Sequence, residues 1–326
     1  MDSGKENLLL AEELFRETND ELFASQVMGV FGKKALRIYH IEQAIEKLQR
    51  GIYIMYGVPY VKAVRKHPPL PFHQYIDGLI TKIEQDEKLI LDRDKIDKKD
   101  ILTYSKSYLK VIEEINKKIK TERSVEYLDV AEVKKVVVSF TIAKTIVDTL
   151  LSNLLDVKIL DGDGKLIQKI SDKEELKLIE VSKQKLEMAF RGLDNVQFMI
   201  SNMVVKNIFD TRKIELRFTT KELENPEKIM SSKKGNGVFT MDDMTLLITA
   251  HTTYSLAEVA FLHYITYPHM NPSRFPINIS EKHISPVDYE RNKFDITSLS
   301  KELISRTYRN LRKYERTIKF LKQSYQ

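Results

Sequence analysis

Cysteine and tryptophan are absent from this 326-residue chain, and glycine (11) and proline (9) are scarce. Without cysteine there is no disulfide framework, no thiolate metal site and no cysteine nucleophile. Neither GxxxxGK[ST], GxGxxG nor GxSxG occurs, so the motif-readable phosphate-loop, dinucleotide and serine-hydrolase classes are set aside. No run of about 18 apolar residues is present, which removes a membrane-spanning helix. The start, MDSGKENLLLAEELF, has neither the basic opening nor the long apolar stretch of a secretory signal. The expectation is a protein that is not secreted and has no membrane partner, placed in the cytoplasm or a virion. Hydrophobic residues make up 42% and charged residues 31%, enough apolar material for a folded core. The length exceeds that of a typical single domain.

Hydrophobic periodicity supplies most of the architecture. Residues 5–30 carry a helical stripe through Leu8, Leu9, Leu14, Phe15, Leu22, Phe23 and Val27, interrupted by Gly29 and Gly32. A second helix, 33–56, has Leu36, Tyr39, Ile41, Ile45, Leu48, Ile52 and Met55 as its apolar face. Eight of the nine prolines fall in two stretches, 57–73 and 268–294. The first is a Pro-rich connection, whose Arg65, Pro68 and Pro71 also fit a basic-x-x-Pro-x-x-Pro docking pattern. The second reads as an ordered but irregular arm. Helices at 74–92 and 101–122 complete an all-helical, bundle-like unit over 1–124, the last with a seam for packing on another helix.

The second unit, 125–295, reads as α+β. Residues 129–155 are an apolar buried helix. The run VKILDGDGKLIQKI predicts a hairpin over 156–170, because Asp161-Gly162-Asp163-Gly164 suits the positive φ angles of a tight turn. DGDG does not complete a calcium loop, since Lys165 stands where an oxygen ligand is needed. Ser171 and Glu174 form a capping box for a helix to about 191, and 195–209 reads as a further buried helix. Strict alternation in TRKIELRFT predicts a strand at 211–219. A long core helix is expected at 241–266. The fold class is therefore mainly α, with a minor antiparallel sheet or hairpin in the second half.

Chemistry-bearing constellations are sparse. His251 and His263 are twelve apart and about 120° out of phase on a helix, so they make no zinc pair; Glu258 shares a face with His251. No metal site and no cofactor are expected. The loop from Lys228 to Asn236, KIMSSKKGN, resembles the KMSKS-type signature of class I aminoacyl-tRNA synthetases, with one extra residue. The resemblance implies lysines that stabilise ATP phosphates, but the companion HIGH-type motif and the βαβ alternation are missing. The segment reads instead as a solvated loop that touches phosphate through Lys228, Lys233 and Lys234.

The terminal segment, 296–326, is where charge gathers. The chain carries a net +6, residues 301–326 alone carry +6, and residues 1–300 sum to zero. Ile304, Leu311, Ile318 and Tyr325 are seven apart, with Thr307, Tyr314 and Leu321 interleaved, a heptad seam on a basic helix. Arg306, Arg309, Arg312, Lys313, Arg316, Lys319 and Lys322, together with Lys233 and Lys234, are the candidate nucleic-acid-binding residues, with Arg306, Arg309, Arg312, Arg316, Lys319 and Lys322 expected to face outward from the seam. The leading expectation is a non-enzymatic assembly or scaffold protein, virion- or mobile-element-associated, that contacts nucleic acid through this helix. It would also self-associate or bind a protein partner through its helical seams. A nucleic-acid-processing enzyme without a readable motif and a protein–protein adaptor are the alternatives.

Overall fold

In the computed structural model the described residues are 3–55, 143, 146–155, 171–212 and 241–323. The Pro-rich connection, the helices expected at 74–92 and 101–122, the hairpin expected at 156–170 and the lysine loop at 228–236 lie outside them. Among the described residues the protein is mainly helical, with one two-stranded antiparallel sheet.

Helices α1 (Ser3–Val30) and α2 (Lys34–Met55) form a helical hairpin. Its turn is a Schellman cap: Gly32 sits at φ +70°, the Gly32 N–H donates to Gly29 O (3.2 Å), and the Lys33 N–H donates to Met28 O (2.9 Å). The buried seam of α1 runs through Leu8, Ala11, Phe15, Thr18, Leu22 and Ser25, alternating large and small side chains. Leu9 and Phe23, which a simple apolar stripe would place inside, are exposed. Close approach explains the small residues. At Gly51 on α2 an added Cβ would stand 2.5 Å from the Phe15 ring, so glycine is required there by contact rather than by backbone angle. The hydroxyls of Thr18 and Ser25 return their hydrogen bonds to Leu14 O and Leu22 O and so enter this seam satisfied.

Helix α2 is the hub of the described structure, touching α1, the helix at 241–266, the helix at 286–290 and the terminal helix, and most of its second half is buried. The capping box at Ser171 and Glu174 is present, with the Glu174 N–H donating to Ser171 Oγ and the Ser171 N–H to Glu174 Oε2. It opens a helix of only eight residues, α3 (Asp172–Ile179). The chain breaks at Glu180–Ser182 and restarts as one long helix, α4 (Lys183–Arg212), replacing the two helices expected on either side of residue 193. A distant cap supports the restart: the Lys183 N–H donates to Asp295 Oδ2 (2.8 Å). Thr211 and Arg212, the first residues of the strand expected at 211–219, are the last of α4. The helical stretch 146–155 packs on α4, where Leu150 lies against Gly192.

Helix α5 (Met241–Thr266) matches the expected core helix and ends in a 3-10 turn, Tyr267–His269. The arm that follows is not irregular. It holds the sheet itself, β1 (Ile277–Ile279) paired with β2 (Lys282–Ile284) in the register Ile277↔Ile284, then α6 (Pro286–Glu290) and a 3-10 turn, Asp295–Leu299. The Glu290 carboxylate reaches back to accept from the Lys34 and Ala35 N–H groups, capping the start of α2. Helix α7 (Ser300–Gln323) closes the structure against α1, α2 and α5. Residues from the first helix to the last thus share one core.

Candidate nucleic-acid interface

Helix α7 has two faces with different duties. Leu303, Ile304, Thr307, Leu311, Tyr314 and Ile318 are buried, so the heptad seam packs inside the molecule. The Tyr314 ring lies 6.2 Å from that of Phe15 on α1. Full burial of each large apolar side chain is worth about 1.5–3 kcal/mol, which fixes the helix as part of the core. The described part of the seam, Ile304 to Ile318, is therefore occupied by this chain's own helices.

Arg306 does not face outward. It is 5% exposed and is surrounded by carboxylates. Its Nη1 donates to Asp194 Oδ1 (2.9 Å) and Glu258 Oε1 (2.7 Å), its Nη2 to Asp194 Oδ2 (2.8 Å), and its Nε to Glu302 Oε1 (2.6 Å). The guanidinium carbon sits 4.7 Å from the centre of the Phe190 ring. Glu258 is fully buried on α5 and also accepts from Arg309 Nη2 (2.6 Å) and Asn310 Nδ2 (2.7 Å). Burial alone would push the Glu258 carboxyl up, but Arg309, the Asn310 amide and Arg306 together hold it below the ordinary range. Arg306 is accordingly not displayed for phosphate contact, and the Glu258 charge is balanced by the cations around it.

Lys313 is also turned inward. Its Nζ is buried without a hydrogen-bond partner and lies 5.5 Å from the centre of the Tyr254 ring. Burial pulls its amine down to about 8, partly offset by Glu258. Arg309 is 41% exposed although its Nη2 is bound to Glu258.

The outer face carries Arg309, Arg312, Arg316 and Lys319, all exposed. Their spacings of three, four and three residues align them in one ridge, about 15 Å long at 1.5 Å per residue. Arg312 is partly balanced by Glu315 at 2.9 Å. Lys322, Lys233 and Lys234 lie outside the residues whose side chains are described.

Other titratable groups are structural by their partners. The His40 Nδ1 meets Glu21 Oε2 at 2.7 Å, and Glu21 also accepts from Lys47. The His269 Nδ1 meets the Tyr289 hydroxyl at 2.8 Å, and complete burial pushes the ring down to about 3, so it stays neutral. Glu42 on α2 is buried beside Glu46; burial and that neighbour raise its carboxyl to about 8. Among the described residues no group of three or more His, Asp or Glu is arranged to hold a metal ion, and no helix is long and apolar enough to cross a membrane.

The Arg306–Glu258 network was missed in the sequence, yet a signal existed. Glu258 is the sole Asp, Glu, Lys or Arg between residues 244 and 266, in a helix whose other residues there are apolar, hydroxylic or histidine. A lone carboxylate in a core helix demands a buried cation, and the terminal helix supplies it.

No model of a known protein family, no curated protein and no solved structure matches this chain.

Proposed function

We propose that this protein is a non-enzymatic, nucleic-acid-contacting assembly or scaffold protein that engages phosphates through the outer ridge of α7. One observation carries this reading: exposed cations line the outer face of a helix whose inner face is fixed in the core. Such a ridge is rigidly displayed, so phosphate contacts cost little ordering of backbone. The contacts are to phosphate, hence independent of base sequence and strongly salt-dependent.

The test is salt-titrated binding of labelled oligonucleotides by the full chain and by a variant with Arg312→Gln, Arg316→Gln and Lys319→Gln. Three phosphate contacts correspond to a loss of roughly 20- to 40-fold in affinity between 50 and 200 mM salt, and the variant should lose that slope. Binding that ignores salt, or that the triple variant leaves unchanged, sinks the proposal. Deleting residues 301–326 is no substitute, because it strips Leu303, Leu311, Tyr314 and Ile318 from the core.

A second, protein-contacting role has its own support at the α1–α2 turn. Val30 (85% exposed) and Phe31 (70%) stand in solvent, near the exposed Phe23. Apolar side chains displayed together on a turn favour association with another protein surface or another copy. Light scattering of the full chain over a concentration series, repeated with Val30→Asp and Phe31→Asp, tests it. Association that the variant abolishes supports the role, and a concentration-independent monomer removes it.

A further inference from the structure

The exposed face at the end of α1 has opposite charges at its two borders. Residues 22–32, LFASQVMGVFG, carry no charged side chain, with Asp20 and Glu21 before them and Lys33 and Lys34 after. One member of each border is engaged within the chain: Glu21 accepts from Lys47, and Lys34 Nζ donates to Glu290 O (3.3 Å). Asp20 and Lys33 are exposed and enter no ion pair among the described residues. Asp20, Phe23, the half-buried Val27 and Val30 recur at spacings of three and four, so they form one stripe. Phe31, whose N–H donates to Val27 O (3.1 Å), continues it. Resting on the apolar-turn reading above, we infer that this stripe docks a second copy of the chain, the ends of the two α1 helices packing antiparallel across a two-fold axis.

Charge complementarity selects this occupant. Phe23 follows Asp20 by three residues, and Val30 precedes Lys33 by three. An antiparallel copy in that register sets Phe23 against the partner's Val30 and Asp20 against the partner's Lys33, and the two-fold repeats both contacts. A parallel copy would set like charge against like. A lipid surface with anionic headgroups attracts cations and repels a carboxylate, so the Asp20 border disfavours it. The stripe is short, with Phe23 and Val30 about 10 Å apart along the helix at 1.5 Å per residue. It lacks the extent of a standard interface, so the dimer is weak and concentration-dependent.

The experiment is sedimentation equilibrium at low salt on the full chain, on Asp20→Lys, on Lys33→Glu and on an equal mixture of the two variants. Each contact occurs twice, so either reversal should raise the dimer dissociation constant on the order of tenfold. The mixture should recover association, because a heterodimer pairs the new lysine with the new glutamate and the remaining Asp20 with the remaining Lys33. That recovery also shows that both variants fold, which circular dichroism checks separately. Association that Phe31→Asp abolishes but neither charge variant weakens overturns the antiparallel pairing and leaves the apolar-turn reading standing. Weakening in both variants without recovery in the mixture also overturns the two-fold. A parent that stays monomeric at every concentration overturns both readings. If that monomer binds vesicles of phosphatidylserine and Phe31→Asp does not, a lipid surface takes the place of the second copy.

Discussion

Replacing Arg306 with methionine separates a structural arginine from a phosphate-binding one. Methionine keeps the unbranched stem and its packing against Phe190, so the change removes charge and hydrogen bonds rather than volume. Four donor–acceptor contacts to three carboxylates disappear. Two of those carboxylates can rehydrate, because Asp194 and Glu302 are 48% and 45% exposed. Glu258 is 0% exposed and cannot, so the cost falls on it. It retains Arg309 and Asn310, which places the loss near about 3–5 kcal/mol, the range for breaking one partner from a buried ion pair. The melting temperature should fall by roughly 5–15 °C. Arg309→Met, at a side chain 41% exposed, takes one cation from the same buried carboxylate and should cost less than Arg306→Met, which removes contacts to three.

Two controls make the reasoning refutable. The double variant Arg306→Met, Glu258→Gln removes both charges and should recover much of the single-variant deficit, a coupling that only contacting residues show. The deficit should also depend on pH. Without Arg306, burial drives the Glu258 carboxyl upward, so Arg306→Met is penalised most at neutral pH and less near pH 4, where protonation removes the unpaired charge. Urea unfolding at pH 7 and pH 4 measures both effects. If Arg306→Met stays within about 0.5 kcal/mol of the parent, or loses nucleic-acid affinity while keeping its stability, the buried-anchor account is wrong.

Lys313→Met should stabilise the protein at pH 7 by on the order of 1–3 kcal/mol, because the folded state there carries a buried ammonium. The folded amine titrates at about 8 against an ordinary lysine value of 10.5, so the parent gains stability as pH rises through that window and the variant's advantage fades by its upper end. Denaturant midpoints at pH 7, 8.5 and 10 follow it. Glu42→Gln should stabilise near pH 8 by on the order of a few kcal/mol: between the ordinary carboxyl value of 4.5 and about 8 the unfolded chain releases a proton that the fold retains, so parent stability falls with pH across that span. A flat pH profile in the parent between those limits would contradict this. Ser280→Asn with Glu281→Gly should raise stability by about 1 kcal/mol, since both turn residues hold positive φ (47° and 66°), and an unchanged melting temperature would count against strain at that turn.

Much of the fold was legible where a single physical signal acted alone. The α1–α2 pair, the capping box at Ser171 and the bounds of α5 follow from periodicity and cap chemistry, and the structure reproduces them. The described hairpin was invisible because its turn is Ser280-Glu281, without the Asn or Gly that announces positive φ; pairing of Ile277 with Ile284 holds it instead. Leu9 and Phe23 were assigned inward because a stripe counts hydrophobicity, whereas the close α1–α2 packing selects the small Ala11, Thr18 and Ser25. The break at Glu180–Ser182 depends on Asp295, more than a hundred residues away, and no local pattern carries that. At the candidate site the heptad seam was readable, but the direction of each arginine was not. Arg306 lies off the seam, yet Asp194 and Glu258 draw it in from two other helices.

This inward pull narrows what the terminal helix can offer a ligand. Eight basic residues follow residue 300, and the net charge of the whole chain sits there. Counted as charge, that is a strong phosphate attractor; counted as geometry, it is much smaller. Arg306 is spent on three carboxylates and Lys313 is buried above Tyr254. Arg309 is the intermediate case. It is 41% exposed, but a phosphate that claimed its head would leave Glu258, fully desolvated, with one cation fewer, and the interior carboxylate holds the stronger claim because it cannot be solvated in exchange. The exposed cations that remain are Arg312, Arg316 and Lys319, and the first two also interact within the chain, Arg312 with Glu315. A surface of about three cations gives weak, salt-sensitive attraction by itself.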